Sequence, residues 1–473
     1  MAAGLDTLPR MALRLDLTGM FVDPPRGPGL NRAAYAAAKP RAARVRAEFL
    51  AAPPDWAALA DDTGALAASR TRWQAVLAAG PPRELVVLGI GGSALGARAL
   101  ADALAPVHQA WGGNAAVPRL HVVDSVDPDW IAALLADLPL AACHFAVVSK
   151  SGGTLETAAQ LLVFYHAVRR ALGSDAAARA RFTLVTDPGR GHFRALVDEL
   201  GFASLPVPPG VGGRFSVLSA VGLFPAVALG LSVEDLLAGA ARTRARLAAV
   251  EPAADAALAY ALAHVLWLER GHGVHVHFPY SHRLRSLAEW YRQLWAESLG
   301  KRRDATGAEV FAGATPVSAV GPTDQHSQVQ LFVEGPHDKV VTFVKVDRFG
   351  ASVPVPPPFT DSPAFRHLDG RSLEELMDAE RRGTEVALAE AGRPACALEL
   401  CKVDAFHVGQ YIQFLATATA YAGGLLGIDP YDQPGVEAGK AAALALMDCA
   451  GFATRAAEIR AREAAREPLV YSC

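Results

Sequence analysis

The run VVSKSGGTLET, residues 147–157, gathers Ser149, Lys150, Ser151, a Gly152-Gly153 pair and Thr154 into a turn between an apolar stretch and a helical one from about 155 to 172. Three hydroxyls, open backbone N–H groups and the positive end of a helix dipole suit a phosphate monoester. A helix cap is the simpler use of such residues. Capping needs one hydroxyl, which Thr154 would supply, and leaves Ser149 and Ser151 unexplained. No GxxxxGK[ST] run occurs in the chain, so Walker-type triphosphate chemistry is not expected. A second glycine-rich turn, GIGGSALG at 89–96, offers Gly91, Gly92 and Ser93 as bare backbone and one hydroxyl against which a sugar would lie. Taken as GxGxxA it is instead a dinucleotide fingerprint with Asp124 on the ribose, although Asp124 follows Gly89 by 35 residues where about 20 is usual. A plain strand-to-helix turn is the third reading.

Four other residues have charges where chemistry would use them. In VGGRFSVLSAVG (211–222) Arg214 stands between a glycine pair and a long apolar helix, able to face an anion or a developing oxyanion; a surface Arg at a helix start is the alternative. In the helical pattern of 283–300, Leu284, Leu287, Tyr291 and Leu294 share one face, and the same phase brings up Glu297. A carboxylate on an apolar stripe is placed to act as a general base; a surface pair with Lys301 at i,i+4 is the competing use. GPTDQHS (321–327) puts His326 in a polar loop between expected strands, and PGVEAGK (434–440) puts Lys440 on a stripe with Val436 and Leu444, unless it merely pairs with Glu437. The chain writes Arg 38 times and Lys only seven, so a retained Lys suggests that an ammonium, not a fork, is wanted. His272, His275, His277 and His282 cluster, and His275 and His277 share one strand face, which permits metal ligation; no acidic ligand accompanies them locally, and no metal is expected.

Short apolar runs alternating with helical stretches must hold these residues. ELVVLGI (84–90), LHVVDS (120–125), HFAVVSK (144–150) and FTLVTD (182–187) read as buried strands of one parallel sheet, closed by the Pro/Gly-rich LPVPPGVGG (205–213). GVHVHF (273–278), ATPVSAVG (314–321), VQLFVEG (329–335), KVVTFVKV (339–346) and ACALELCKV (395–403) read as a second series, with a surface loop at 353–363. The expected fold class is α/β, two parallel sheets in tandem, preceded by a helical arm broken at Pro53-Pro54 and followed by helices from about 434. The boundaries are 1–75 for the arm, 76–210 for the first α/β unit with the phosphate loop, 211–255 for connecting apolar helices, 256–433 for the second unit with Glu297 and His326, and 434–473 for the C-terminal helices carrying Lys440.

Composition agrees. A length of 473 residues gives ample core; 51% hydrophobic and 20% charged residues exclude disordered, collagenous and coiled-coil classes. A net charge of -3 provides no basic field for nucleic acid or an anionic membrane. Cys143, Cys396, Cys401, Cys449 and Cys473 form no CxxC pair, and Asp6, Arg10, Arg14 and Asp16 break up the N-terminus, so reduced thiols, no signal peptide and a cytoplasmic location are expected. Residues 215–233 are 19 residues without a charge, close to the length that spans a bilayer, but Ser216, Ser219, Pro225 and Ser232 interrupt the run and favour a buried core helix over a membrane span.

In order, GIGGSALG, SKSGGTLET, VGGRFSVLSAVG, QLWAESLGK, GPTDQHSQ and DQPGVEAGK resemble the motif series of the glucose-6-phosphate isomerase (phosphoglucose isomerase) family, from about residue 80 to 445. The resemblance implies two flavodoxin-like sugar-isomerase (SIS) domains, each a parallel sheet between helices, and the interconversion of glucose 6-phosphate and fructose 6-phosphate in glycolysis and gluconeogenesis through a cis-enediolate. It implies that Ser149, Lys150, Ser151 and Thr154 hold the phosphate, with Gly91, Gly92 and Ser93 beside the sugar and Gln293 and Gln433 as polar contacts. Glu297 would move the proton between C1 and C2, Arg214 would stabilise the enediolate, and His326 and Lys440 would assist ring opening, with no cofactor. It further implies a homodimer in which the His-bearing segment reaches the neighbouring site. The Gly pair of SKSGGT, where animal members carry bulkier residues, is equally similar to other SIS proteins, so a sugar-phosphate-binding regulator is the first alternative and a nicotinamide oxidoreductase the second. A binder would not need Glu297, Arg214, His326 and Lys440 together.

Overall fold

The computed structural model describes residues 13–471 apart from 26, 108–116, 358 and 360–362; Asp6, Arg10 and Cys473 lie outside the described residues. The chain opens with a three-residue strand β1 (Arg14–Asp16), followed by helices α1 (Arg32–Ala51) and α2 (Thr63–Ala78) on either side of a 3-10 segment, Asp55–Asp61. Pro53-Pro54 ends α1 as expected, because neither proline donates an N–H and each disfavours a helical predecessor, although α1 accommodates a single proline at Pro40. Asp62 then accepts from Gly64 and Ala65 N–H to start α2.

The first sheet follows as β2 (Glu84–Leu88), α3 (Gly92–Leu104), β3 (Arg119–Val123), α4 (Pro128–Asp137), β4 (Cys143–Val148), α5 (Leu155–Leu172), α6 (Asp175–Ala180), β5 (Phe182–Thr186), α7 (His192–Leu200) and β6 (Ala203–Pro206). Its strands lie in the order β3-β2-β4-β5-β6, all parallel. The apolar runs ELVVL, CHFAVV and FTLVT are buried at every position because helices cover both faces. The chain leaves β2 towards β3 on one side and returns to β4 on the other. The turns after β2 and β4, GIGGSALG and SKSGGT, therefore flank the crevice where such sheets bind ligands. β6 is an addition to the expected strands: LPVPPGVGG does not simply close the unit, since its first residues pair with β5, and Pro206 is tolerated at a sheet edge.

A 3-10 segment Gly213–Leu218, α8 (Ala220–Ala228), α9 (Val233–Ala249) and α10 (Ala256–Leu268) lead to the second unit. The uncharged run 215–233 is thus no single long helix, because Ser219 caps α8 through Val221 N–H and divides it. No helix among the described residues is long and apolar enough to cross a membrane. The second unit contains β7 (Val274–Pro279), α11 (Arg285–Leu299), the hairpin β8 (Lys301–Arg303) and β9 (Glu309–Ala312), β10 (Thr315–Ser318), α12 (Thr323–Ser327), α13 (Val329–Glu334), β11 (Lys339–Val346), α14 (Leu373–Glu390), β12 (Ala395–Leu400) and α15 (Ala405–Leu425). α16 (Pro434–Leu446) and α17 (Ala453–Ala464) end it. The sheet order is β1-β12-β11-β7-β10, parallel except for β1, which the N-terminal arm adds antiparallel to β12.

Two expectations fail here. VQLFVEG is helix α13, not a strand: Val329, Phe332 and Val333 recur at helical spacing, and Phe332 alone is buried. His326 consequently sits in the short helix α12 and not in a loop between strands. Asp324 holds that helix, accepting from Val320 N–H and Ser327 Oγ–H at 2.7 Å each.

The two sheets are joined by a helical core in which α9 and α10 lie along α15, and α11 packs on α3. α15 and α9 approach so closely that a Cβ on Gly239 would stand 1.8 Å from Phe406 O, which is why glycine occupies the contact. The histidine-rich strand β7 faces this core. His275 Nε2 lies 3.1 Å from Tyr260 Oη and 3.0 Å from Thr342 Oγ1, and His277 Nε2 meets Tyr411 Oη. His272 packs on the Trp267 ring and His282 is exposed. The shared face of His275 and His277 is therefore a hydrogen-bonded core face, and no group of three or more potential metal ligands occurs among the described residues.

Burial pushes His277 down to about 3 and His264 to about 4, and it holds His144 and His275 well below the ordinary value. Unfolded, each would titrate near 6.5. Below that pH the unfolded chain takes up protons that the fold refuses, so their contribution is complete above about pH 6.5 and is lost as pH falls. Each is expected to remove up to about 1.4 kcal/mol of stability per pH unit between pH 6.5 and 5, a window in which few carboxylates titrate. Urea midpoints measured across that window should fall steeply; a flat profile would show that these rings are not held neutral.

Candidate active site

A cleft of about 730 Å³ opens at the C-terminal ends of the first sheet's strands, closed on its other side by α11 and the start of α16. It is lined by Gly91, Gly92 and Ser93 from the first turn, Ser149, Lys150, Ser151 and Thr154 from the second, and Arg214, Gln293, Glu297, Gln433 and Lys440. Of the catalytic and substrate-contact residues that the family resemblance implies, only His326 is outside the lining; it lies on α12.

The phosphate-type loop is built from its own hydroxyls. Ser149 Oγ accepts from Gly152 N–H at 3.1 Å and Ser151 Oγ from Gly153 N–H at 3.2 Å, while Ser149 Oγ and Thr154 Oγ1 are 3.2 Å apart. Two backbone N–H groups expected to be open are thus taken by the serines. The Ser149–Thr154 contact uses one of those two hydroxyl hydrogens, which leaves the other and the Ser151 O–H to be donated into the cleft. Thr154 occupies the N-cap position of α5 without any side-chain capping bond, so the cap reading fails for it. Lys150 departs from expectation: its Nζ donates to the carbonyls of Pro209 and, at 3.1 Å, Val211. Burial lowers its pKa, and it latches the loop to the 209–211 segment.

Glycine in GIGGSALG answers to close packing. Gly91 has φ +56 and begins α3; a Cβ on it would stand 2.8 Å from Gln293 Nε2, and a Cβ on Gly92 would stand 2.3 Å from the backbone of Gly213. The turn is thereby pressed against both the Arg214 segment and α11. Asp124, the ribose candidate of the dinucleotide reading, is paired with Arg98 at 3.0 Å.

Arg214 is buried, not a surface residue. Nε donates to Ser298 Oγ at 2.8 Å, Nη1 to Glu297 Oε2 at 3.2 Å and Gln433 Oε1 at 2.7 Å, and Nη2 to the carbonyls of Pro430 and Asp432 at 2.6 and 3.0 Å. Five contacts occupy its five N–H groups. Burial lowers its pKa, opposed chiefly by the charge of Glu297.

Glu297 stands on the last turn of α11 with about one-third of its side chain exposed to the cleft. It accepts from Arg214 and, at 2.8 Å, from Gln293 Nε2. The surface pair with Lys301 does not form: Lys301 is buried, and its Nζ donates to the carbonyls of Glu297 and Ser298 and lies 3.5 Å from Asp432. Lys440 Nζ does pair with Glu437, at 2.7 Å. Its expected apolar stripe is not core, since of all α16 only Ala445 is buried.

The lining also includes Trp56, Asp187, Arg190, Phe215 and Tyr431, which the sequence reading did not identify. Asp187 and Arg190 follow β5 in DPGRGH, a strand-end turn of the same sheet, so the rule that found the other two turns applies to it equally. Trp56 comes from the N-terminal arm and stacks on Phe215, with centroids 4.8 Å apart; no local pattern marks it.

The family model described as phosphoglucose isomerase matches residues 70–458. The chain is 42% identical over 383 residues to a glucose-6-phosphate isomerase of Carboxydothermus hydrogenoformans, covering 80% of this chain and 81% of that protein. It is 41% identical over 357 residues to one from Thermus thermophilus, covering 76% and 82%. A solved structure of a hypothetical protein, also from Thermus thermophilus, superposes with a TM-score of 0.80 at 37% identity, over 91% of this chain and 98% of that one. A glucose-6-phosphate isomerase from Chlamydia trachomatis superposes with a TM-score of 0.66 at 25% identity, over 89% and 76%. With five of its six motifs contributing to one cleft and the family model spanning most of its length, the chain belongs to the phosphoglucose isomerase family.

Proposed function

We propose that the reaction of this family, the reversible isomerisation of glucose 6-phosphate and fructose 6-phosphate, is carried by Glu297 as the base over C1 and C2. The observation that carries the assignment is the placement of Glu297 beside Arg214 and Gln293 in the cleft that also holds the hydroxyl loop 149–154. The loop anchors the phosphate through the O–H groups of Ser149, Ser151 and Thr154 and the N-terminus of α5. The sugar then lies along Gly91, Gly92 and Ser93, with Gln293 and Gln433 as polar contacts. Glu297 takes the proton from C2 of the open-chain aldose and returns it to C1, while the hydroxyl proton of O2 passes to O1, and the reverse reaction retraces the path.

Arg214 has no spare N–H in the resting site, which limits how it acts. When Glu297 accepts the proton its carboxylate charge disappears, and the Nη1–H that faced it is released to an enediolate oxygen lying beside the carboxyl. The buried guanidinium thus passes its stabilisation from one anion to the next without moving its anchors on Pro430, Asp432 and Ser298. Lys440 and His326 serve ring opening, His326 arriving from a second subunit of a homodimer. That arrangement is supported by the position of His326 on α12, outside the cleft of its own chain. The cytoplasm is the proposed location, in keeping with Cys143, Cys396, Cys401 and Cys449 as free thiols.

A coupled assay that converts fructose 6-phosphate to glucose 6-phosphate without added metal tests the function directly; absence of conversion rejects it. The phosphate loop has its own test. Changing Ser149, Ser151 and Thr154 together to Ala is expected to weaken fructose 6-phosphate by about 100-fold or more, because hydrogen bonds to an ionised group are each worth about 1.5–3 kcal/mol. Unphosphorylated fructose, measured as an inhibitor, should change little. Equal weakening of both would make the loop structural.

A further inference from the structure

A phosphate dianion brought to the loop 149–154 meets neutral hydroxyls, and the nearby cations are committed elsewhere. Lys150 Nζ places two of its three N–H groups on the carbonyls of Pro209 and Val211, Arg214 has all five on protein acceptors, and Lys440 is hydrogen-bonded to Glu437 at 2.7 Å. Arg190 is the exception among the cations of the cleft. Its side chain is 81% exposed, and its recorded ion pair, Nε to Asp187 Oδ2 at 3.7 Å, is too long for a hydrogen bond.

The main chain beneath Arg190 is fixed. Asp187 Oδ1 accepts from Gly189 N–H at 2.9 Å and from Arg190 N–H at 3.1 Å, and these bonds, that of Gly189 foremost, hold the Asp187 carboxyl below its usual range. The turn is pressed against the phosphate loop: a Cβ on Gly191 would stand 2.4 Å from Ser151 O, and one on Gly152 would stand 2.3 Å from Phe193 N. Gly191 and Gly152 have φ of +101 and +65, so both close approaches depend on glycine. A rigid turn thus carries a long, weakly held guanidinium to the edge of the loop that awaits the phosphate.

We infer that Arg190 is the counter-ion of the substrate phosphate: on binding, its guanidinium leaves Asp187 and closes over the phosphate held by Ser149, Ser151 and Thr154. Leaving Asp187 costs little, because an exposed ion pair at this separation is weak, whereas an Arg–phosphate fork is among the strongest polar contacts. The inference rests on the isomerase reading for the identity of the sugar, while its phosphate part stands on the loop geometry alone.

Arg190→Ala and Arg190→Lys separate the two. In Arg190→Ala the KM for fructose 6-phosphate and the inhibition constant of inorganic phosphate should both rise about 10- to 100-fold, with kcat within about threefold of wild type. Arg190→Lys should recover part of the loss, since an ammonium restores the charge but not the fork. The phosphate of the substrate takes its second charge near pH 6, so the gain in affinity between about pH 5 and 7 should flatten in Arg190→Ala, a change that a merely structural residue would not produce. Unchanged KM and phosphate inhibition, or a fall in kcat at constant KM, overturns the assignment. If the wild-type protein failed to isomerise, calorimetric titration of inorganic phosphate into wild type and Arg190→Ala would still decide it: weakening supports the clamp, equal binding rejects it.

Discussion

Glu297→Gln is expected to lower turnover by about 10³-fold or more while KM for fructose 6-phosphate stays within a few-fold, in line with the size of general-base effects. The amide keeps the shape of the carboxylate. Its oxygen can still accept from Arg214 Nη1, which lies 3.2 Å from Glu297 Oε2 in the native site. What it cannot do is take a proton from carbon. Exchange of the C2 hydrogen with solvent, followed in deuterated water, should vanish with turnover. Near-wild-type turnover in the variant would remove Glu297 from the role of base and leave the cleft without one, since the other carboxylate in its lining, Asp187, is engaged by the backbone N–H groups of Gly189 and Arg190.

The second large effect concerns assembly. Glu297→Gln and His326→Ala are each expected to be inactive alone and to regain activity when co-expressed or refolded together. In a mixed dimer with reciprocal exchange, one site collects both defects and the other receives an intact Glu297 and an intact His326, so each mixed dimer should show about half the wild-type activity. If each site were built from a single chain, mixing would restore nothing. Differential tags on the two variants establish that mixed dimers are present, and their inactivity would reject the shared site while leaving the isomerase assignment in place.

Much of this is legible in the sequence because a doubly wound sheet writes its plan in one dimension. ELVVL, CHFAVV and FTLVT are continuous apolar runs because both their faces are covered, and the turns that follow them had to carry the ligand-binding residues. VQLFVEG misleads because seven residues of mixed apolar and polar type fit a strand as well as a short helix, and the burial of Phe332 at helical spacing distinguishes them. β1 and β6 leave no signal for a related reason: three and four residues are too few to show a period. Partners of long side chains are the least legible. Nothing local to VGGRFSV reveals that Arg214 will be enclosed by Ser298, Pro430 and Gln433, which are 84 to 219 residues away. Nor does SKSGGT reveal that Lys150 will turn from the cleft to the carbonyls of Pro209 and Val211.

The base stands on α11 of the second unit and the phosphate anchor follows β4 of the first, and α11 lying on α3 fixes the gap between them. The cleft is therefore a ruler. A sugar is gripped at one end by its phosphate and must present its reacting carbons at a set span from that grip. One carbon more or fewer displaces the C–H bond by about 1 Å or more, and misplacement on that scale costs about 100-fold in rate. Discrimination by chain length thus requires no pocket shaped to the sugar's hydroxyls. It is a property of how the two units are spaced, and it would be inherited by any relative that preserves the α3–α11 contact while changing every residue that touches the sugar.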